Sequence, residues 1–268
     1  MKQHQYPVKT IYYHDELNEE FSGVVRNTKQ IDENYCYMNR NPFWRLAAVI
    51  VHRGFVTPAA YLYCKAKFHF KIYNRKVLEP YLKTGCFLYG NHTQVPGDGF
   101  LQAMTVFPQK SYVIVNADNV SLKGTEQLML MIGSIPLPTS LKGYRGFLAA
   151  VHERLLQGHP IVIYPEAHIW PYYTGIRPFA ATSFTYPVRE QKPAFAFTVV
   201  YKKQKYRKTP KIEVVVDGPF HPDNTLPAKA AAQKLHKQVY DAMVRRAAQS
   251  DCEYYRYTKI AKGEINID

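Results

Sequence analysis

Gly90-Asn91-His92-Thr93-Gln94-Val95-Pro96-Gly97-Asp98 is the stretch on which the reading of this chain turns. An apolar run, Cys86-Phe87-Leu88-Tyr89, feeds into it, and a helical pattern begins near Asp98 and runs to Phe107. A histidine and a carboxylate thus fall on a strand-to-helix turn. There an imidazole can take a proton while a carboxylate holds its tautomer and orientation. The same two residues would also suit a plain loop contact, so the weight rests on the rest of the chain.

Working outward, alternating strands and helices follow. Tyr112–Val115 reads as a strand, Ser121–Ile132 as a helix, and Ser134–Pro138 as a short extended piece. Phe147, Leu148, Val151, Leu155 and Leu156 recur at helical spacing until Gly158 stops them. Pro160–Tyr164 is the most apolar strand and ends in Pro165-Glu166; Ala194–Tyr201 and Ile212–Val216 are two more strands. A final helix starts near Thr225, with Leu235, Val239, Ala242 and Met243 on one face. Upstream, Phe68, Phe70 and Ile72 alternate with Lys67, His69 and Lys71 as in a half-buried strand. Continuous apolar strands alternating with helices predict an α/β fold, a mainly parallel sheet covered by helices on both faces. In such sheets the ligand site lies beyond the carboxyl ends of the strands, where the His92 turn and the Tyr164-Pro165-Glu166 end both fall.

Four segments are expected. Residues 1–42 are polar and Tyr-rich, an N-terminal extension without clear periodicity, and residues 43–66 are an apolar helical segment. Residues 67–250 form the α/β domain, and 251–268 are a tail. Within 43–66, Gly54 and Pro58 predict a break between two short helices. With Arg45, Arg53, Lys65 and Lys67 around them, these helices fit a basic hairpin lying in a membrane interface, or two helices packed on the core. Both readings stay open. The longest run free of Asp, Glu, Lys and Arg is Gln127–Leu141, shorter than the ~18 apolar residues of a spanning helix, so none is expected. The first twenty residues carry no apolar core of a signal peptide.

Composition narrows the partners. With 46% hydrophobic and 21% charged residues the chain is ordinary for a folded domain. A net charge of +14 attracts polyanions of any kind, including anionic lipids and phosphorylated substrates. The basic residues are spread along the chain, with small clusters such as Lys205-Tyr206-Arg207-Lys208, and no nucleic-acid-binding motif accompanies them. No nucleic-acid partner is expected. The scattered Cys36, Cys64, Cys86 and Cys252 read as reduced thiols, with no metal site and no cofactor.

The order of these segments resembles the glycerolipid acyltransferase family, of which lysophosphatidate acyltransferases are the best-known members. Tyr89-Gly90-Asn91-His92-Thr93 is similar to the family's N-H-x-S-x-x-D block, and Gly133-Ser134-Ile135-Pro136-Leu137 to its second block. Tyr164-Pro165-Glu166-Ala167 is similar to the opening of its F-P-E-G-T-R block, and Pro193–Phe197 to the fourth. The likeness covers about residues 67–245. It implies an acyltransferase fold and a soluble-side enzyme, cytoplasmic and peripheral to the membrane. That enzyme would move a fatty acyl chain from acyl-CoA or acyl-carrier protein to the hydroxyl of a lysolipid. His92 would be the general base and Asp98 its partner. Asn91, Thr93, Tyr164, Glu166 and Ala167 would line the acceptor pocket, and Arg145, Lys142 or Arg177 would hold a phosphate. A non-catalytic lipid-binding relative with the same fold is the alternative.

The departures are specific. The family places four residues between His and Asp; this chain places five, Thr93 to Gly97, so a Pro96-Gly97 turn must absorb one. In the third block Gly, Thr and Arg become Ala167, His168 and Ile169, which removes a phosphate-binding cation. An acceptor without a phosphate follows as an expectation.

Overall fold

The computed structural model describes residues 8–23, 29–95, 97–121 and 124–261. Its strands and helices alternate as the apolar runs predict. In chain order they are β1 (Lys9–Tyr13), α1 (Pro42–Val49), α2 (Thr57–Phe68), β2 (Lys71–Tyr73), β3 (Phe87–Gly90) and α3 (Gly97–Val106). Then come β4 (Tyr112–Val115), α4 (Glu126–Ile132), β5 (Ser134–Pro136), α5 (Tyr144–Leu156), β6 (Ile161–Ile163) and α6 (Thr185–Glu190). The chain closes with β7 (Ala194–Lys202), β8 (Lys211–Phe220), α7 (Ala228–Ala247) and β9 (Tyr255–Lys259). Seven strands form one sheet in the order β2-β8-β7-β3-β6-β4-β5, and every neighbouring pair is parallel except the β7–β8 hairpin.

Both faces of this sheet are covered, and the strands show why. Side chains alternate between faces at period two. Phe87, Tyr89, Ile161, Ile163, Ala194 and Ala196 join Phe147, Val151 and Leu155 of α5 and Leu235, Val239 and Met243 of α7. Leu88, Val162, Phe195, Phe197 and Val199 turn the other way, onto Cys64 and Phe68 of α2 and Leu101 and Val106 of α3. A strand buried on both faces must be apolar at every position, which is why these runs lack polar alternation. The structure is therefore an α/β fold with a mostly parallel sheet between two helical layers.

Two sequence expectations change. Gly54 and Pro58 do not break the apolar segment. One helical run, Pro42–Phe68, holds 27 residues, with the stretch Ile50–Val56 loosened to π-type turns. Pro58 follows closely on these π-type turns, inside the run, where it has no N–H to donate to the preceding turn. The run is, by length and composition alone, long and apolar enough to cross a membrane, although charges interrupt it. It lies along the domain, burying Ala48, Ala60, Cys64 and Phe68, and leaves Phe43, Leu46, Ile50, Phe55 and Leu62 exposed. The helix also ends later than expected, at His69 in the left-handed region (φ 46°), so the alternation Phe68–Ile72 shrinks to the three-residue strand β2.

The first and last strands meet. β1 pairs in parallel with β9, and a cluster of rings from Tyr13, Phe21, Trp170, Tyr173 and Tyr257 packs beside the pair. Ile31 is fully buried and Thr139 bonds to it. Among the described residues the extension thus has fixed structure. All four cysteines are free thiols.

Candidate active site

The site begins where β3 runs out between β6 and β7. A Cβ at Gly90 would lie 2.3 Å from the Phe197 ring, so only glycine lets the strand end against β7. Asn91 then pins the exit. Its amide accepts from Val199 N at 2.8 Å and donates to Val199 O at 3.1 Å, and the residue is 1% exposed. Thr93 is likewise buried, its hydroxyl accepting from Tyr201 Oη at 2.8 Å. These two are structural pins that turn the intervening residue outward.

That residue is His92. Its ring, 19% exposed, sits with Nδ1 2.8 Å from Asp98 Oδ2. It stacks on Tyr164 at 4.5 Å between centroids, with planes 21° apart. The Tyr164 hydroxyl donates to Asp98 O at 2.6 Å, so the tyrosine clamps both halves of the pair. Burial, with Asp98 adding to it, pushes that hydroxyl well above its ordinary range, and it stays protonated as a donor. Among the described residues nothing hydrogen-bonds the other ring nitrogen of His92. With Asp98 on Nδ1, the Nε2 atom is the one that can exchange a proton with a substrate.

The extra residue between His92 and Asp98 does not spoil this geometry. Asp98 N donates to Gln94 O at 3.0 Å, and Gln94 N donates back to Asp98 Oδ2 at 2.9 Å. These two bonds, one backbone and one side chain, close the loop. Pro96 lies outside the described residues. Gly97 is needed for close approach: a Cβ there would stand 2.9 Å from Gln94 Cβ and 3.2 Å from the Phe68 ring. Asp98 itself is 3% exposed and its Oδ1 has no partner. Burial pushes its carboxyl up, while the His92 ring and the Gln94 N–H pull the other way.

Glu166 serves a different purpose from the expected pocket lining. It is buried; Oε2 accepts His92 N at 3.2 Å and Oε1 accepts Arg177 N at 3.1 Å. Arg177, 1% exposed, faces it at 3.6 Å and donates to the carbonyls of Glu16, Glu166 and His168. Expected as a free phosphate-binding cation, Arg177 is instead consumed by this buried network. A guanidinium with five donors in a rigid fork suits the gathering of several carbonyls. Ala167, where the resembling block has glycine, adopts left-handed backbone (φ 63°) and is exposed.

The loop after Glu166 is held by the N-terminal segment. Trp170 N donates to His92 O and Tyr172 N to Thr93 O, while Trp170 Nε1 donates to Glu19 O and Ile169 N to Glu20 Oε1. Sequence reasoning missed Glu16, Glu19, Glu20 and Tyr201, because none stands near a motif, and Gln94, because nothing in the motif shows that its backbone N–H meets Asp98. Arg145 and Lys142 are exposed around the start of α5. They make no described contact with the His92 group. Among the described residues no His, Cys, Asp and Glu are grouped to hold a metal.

No protein-family model matches this chain, and no curated protein matches it. The crystal structure of the 1-acyl-sn-glycerophosphate (LPA) acyltransferase PlsC from Thermotoga maritima is similar to it, with a TM-score of 0.49 and 14% sequence identity. The similarity spans 80% of this chain and 98% of that one.

Proposed function

We propose that this chain is an O-acyltransferase that moves a fatty acyl group from acyl-CoA or acyl-carrier protein to the hydroxyl of a lysolipid or related acceptor at a membrane surface. The observation that carries the reading is the 2.8 Å pair of His92 and Asp98 at the carboxyl end of β3, with the second ring nitrogen unengaged. The block resemblance supports it.

The chemistry needs no covalent enzyme intermediate. His92 Nε2 takes the proton of the acceptor hydroxyl as its oxygen attacks the thioester carbonyl carbon. The C–O bond forms, the C–S bond breaks, and the departing thiolate takes the proton from the imidazolium. Asp98 holds Nδ1–H throughout and stabilises the charged ring. Glu166 orients the His92 backbone from below rather than touching the acceptor. With Ile169 in place of a cation and Arg177 consumed, the favoured acceptor carries no phosphate near His92. The exposed apolar side chains of Pro42–Phe68, interspersed with Arg45, Arg53 and Lys65, suit a helix resting in the membrane interface.

The test is labelled acyl transfer from acyl-CoA across a panel of lysolipids and neutral hydroxyl acceptors, comparing wild type with His92→Ala. Loss of about 10²–10⁴-fold in turnover, with the same thermal unfolding, is the expected result. Equal turnover by the two proteins would remove the base. Transfer by neither, with lysolipid still bound, would leave the lipid-binding alternative.

A further inference from the structure

At the opposite end of the strands from the His92 turn, where β4 and β6 begin, a second group of side chains gathers around Tyr112. Lys110 Nζ lies 4.9 Å from the Tyr112 ring centroid and the Arg154 guanidinium 4.4 Å from it. The His159 ring stands 5.2 Å away. The middle of the Pro42–Phe68 run adds His52 and Arg53, whose guanidinium donates to Pro108 O at 3.1 Å. Arg45 acts on the same tyrosine from about two turns upstream.

This cluster has no counter-charge. The charged groups acting on His52 are Lys110, Arg53 and His159; those acting on His159 are Arg154, Lys110 and Arg53. All are bases. The bonds that the cations do make go to neutral acceptors: Lys110 to Met131 O at 2.6 Å, Arg154 to the Gln157 amide at 2.8 Å, Arg53 to Pro108 O. Among the described residues no carboxylate comes within ion-pair reach of Arg45, Arg53, Lys110 or Arg154, whereas Lys29, Lys211 and Arg246 each have one. Nδ1 of His52 and Nδ1 of His159 are both buried without a hydrogen-bond partner. Burial, reinforced by the neighbouring cations, holds both imidazoles down at about 4, and pushes the Lys110 ammonium down to about 8. Repulsion of this kind is relieved by an anion with several acceptor oxygens.

We propose that Arg53, Lys110, Arg154, His52 and His159 form a second site, distinct from the His92 centre, that takes a phosphate group, and that its carrier is the headgroup of an anionic membrane lipid. The carrier follows from position. Phe43, Leu46, Ile50 and Phe55 on the same helical run are exposed, so apolar surface for acyl chains adjoins the cations. The lipid here is an anchor that orients the domain, not the acceptor. Binding alone is the readout, so the fate of the acyl-transfer reading does not decide it.

The experiment measures flotation of the full chain with vesicles of phosphatidylcholine, with and without added phosphatidic acid, for wild type and for Arg53→Gln with Arg154→Gln. Lys205→Gln with Lys208→Gln, on the exposed loop between β7 and β8, is the charge-matched control. Each basic residue at a lipid surface is worth about fivefold in partition, so the pair loses about 25-fold on acidic vesicles. It loses little on phosphatidylcholine, and the control loses less than the site variant. Inorganic phosphate forms the second arm: it raises the titration of the His52 and His159 rings only if the site takes the free ion. An effect of phosphate on those rings with no difference on vesicles would overturn the lipid assignment and leave a soluble-ion site. Equal vesicle loss in site and control variants, with no ring response, would overturn the site itself. Should the double variant not fold, Arg45→Gln, an exposed change on the rim, and the wild-type ring titration with phosphatidic-acid vesicles decide the question: unmoved rings and unchanged flotation refute it.

Discussion

Replacing Glu166 with glutamine keeps its size and removes its charge. The carboxylate accepts one N–H on each oxygen, from His92 and from Arg177, and faces the Arg177 guanidinium at 3.6 Å. Both side chains are out of water, at 3% and 1% exposure. Breaking a buried pair by removing one partner costs about 3–5 kcal/mol, because the other charge remains uncompensated. The low end applies, since Arg177 keeps three carbonyl acceptors. An amide can accept only on its oxygen, so one backbone N–H loses its partner, at about 1 kcal/mol more. The sum, about 4 kcal/mol, is a large part of the ordinary 5–15 kcal/mol of a domain. At about 2–4 °C per kcal/mol the midpoint of thermal unfolding falls by about 10 °C. Circular dichroism melts of wild type, Glu166→Gln, Arg177→Met and the double variant measure it. The double variant is expected to melt above the sum of the single effects, since it leaves no lone buried charge. A Glu166→Gln midpoint within about 2 °C of wild type, or strict additivity in the cycle, would refute the claim that this pair holds the loop beneath His92.

Other outcomes follow from the same geometry. Asp98→Asn, which can offer Nδ1 of His92 the wrong hydrogen-bond partner, should lower acyl-transfer kcat by about 10²–10⁴-fold with KM little changed; a proportional rise in KM alone would contradict an orienting role. Ala167→Gly relieves left-handed backbone that costs a non-glycine residue about 1–2 kcal/mol, against roughly 0.5–1 kcal/mol of added chain entropy. A slight rise in melting midpoint is therefore expected where a glycine substitution usually lowers it. His52 and His159 have folded-state values near 4 against an ordinary 6.5, so the unfolded chain binds their protons first as pH falls. Their contribution is present above pH 6.5 and is lost as pH falls toward 4, by about 1–2 kcal/mol each after solvent screening. The slope of stability with pH in that window should flatten in His52→Gln with His159→Gln, as denaturant titrations at several pH values would show.

Much of this architecture was legible in the chain because its signals are local. A strand buried on both faces must be apolar at consecutive positions, and Phe87–Tyr89, Ile161–Ile163 and Ala194–Tyr201 are. A histidine followed by a helix-starting acid marks a strand-to-helix turn without any knowledge of what surrounds it. Gly54 and Pro58 misled for the same reason. Their intrinsic preferences predict a break, but packing of Ala48, Ala60 and Cys64 on the domain carries the helix through, and the run yields only by loosening to π-type turns over Ile50–Val56.

What the sequence alone determined was the alternation of strands and helices, the placement of His92 at a strand end, and the candidate partner six residues on. Whether that partner reaches the ring was beyond it, since one inserted residue rotates a helix start by about 100°. Only the folded chain shows the 2.8 Å contact, closed by Gln94 and by a Gly97 pressed against Phe68. The same holds for Glu166 and Arg177. Eleven residues apart and both charged, they read as pocket residues, and the tertiary structure buries them together as a brace. Burial and charge pairing are properties of what surrounds a side chain in space, and distant segments such as Glu16–Glu20 and Trp170 supply those surroundings.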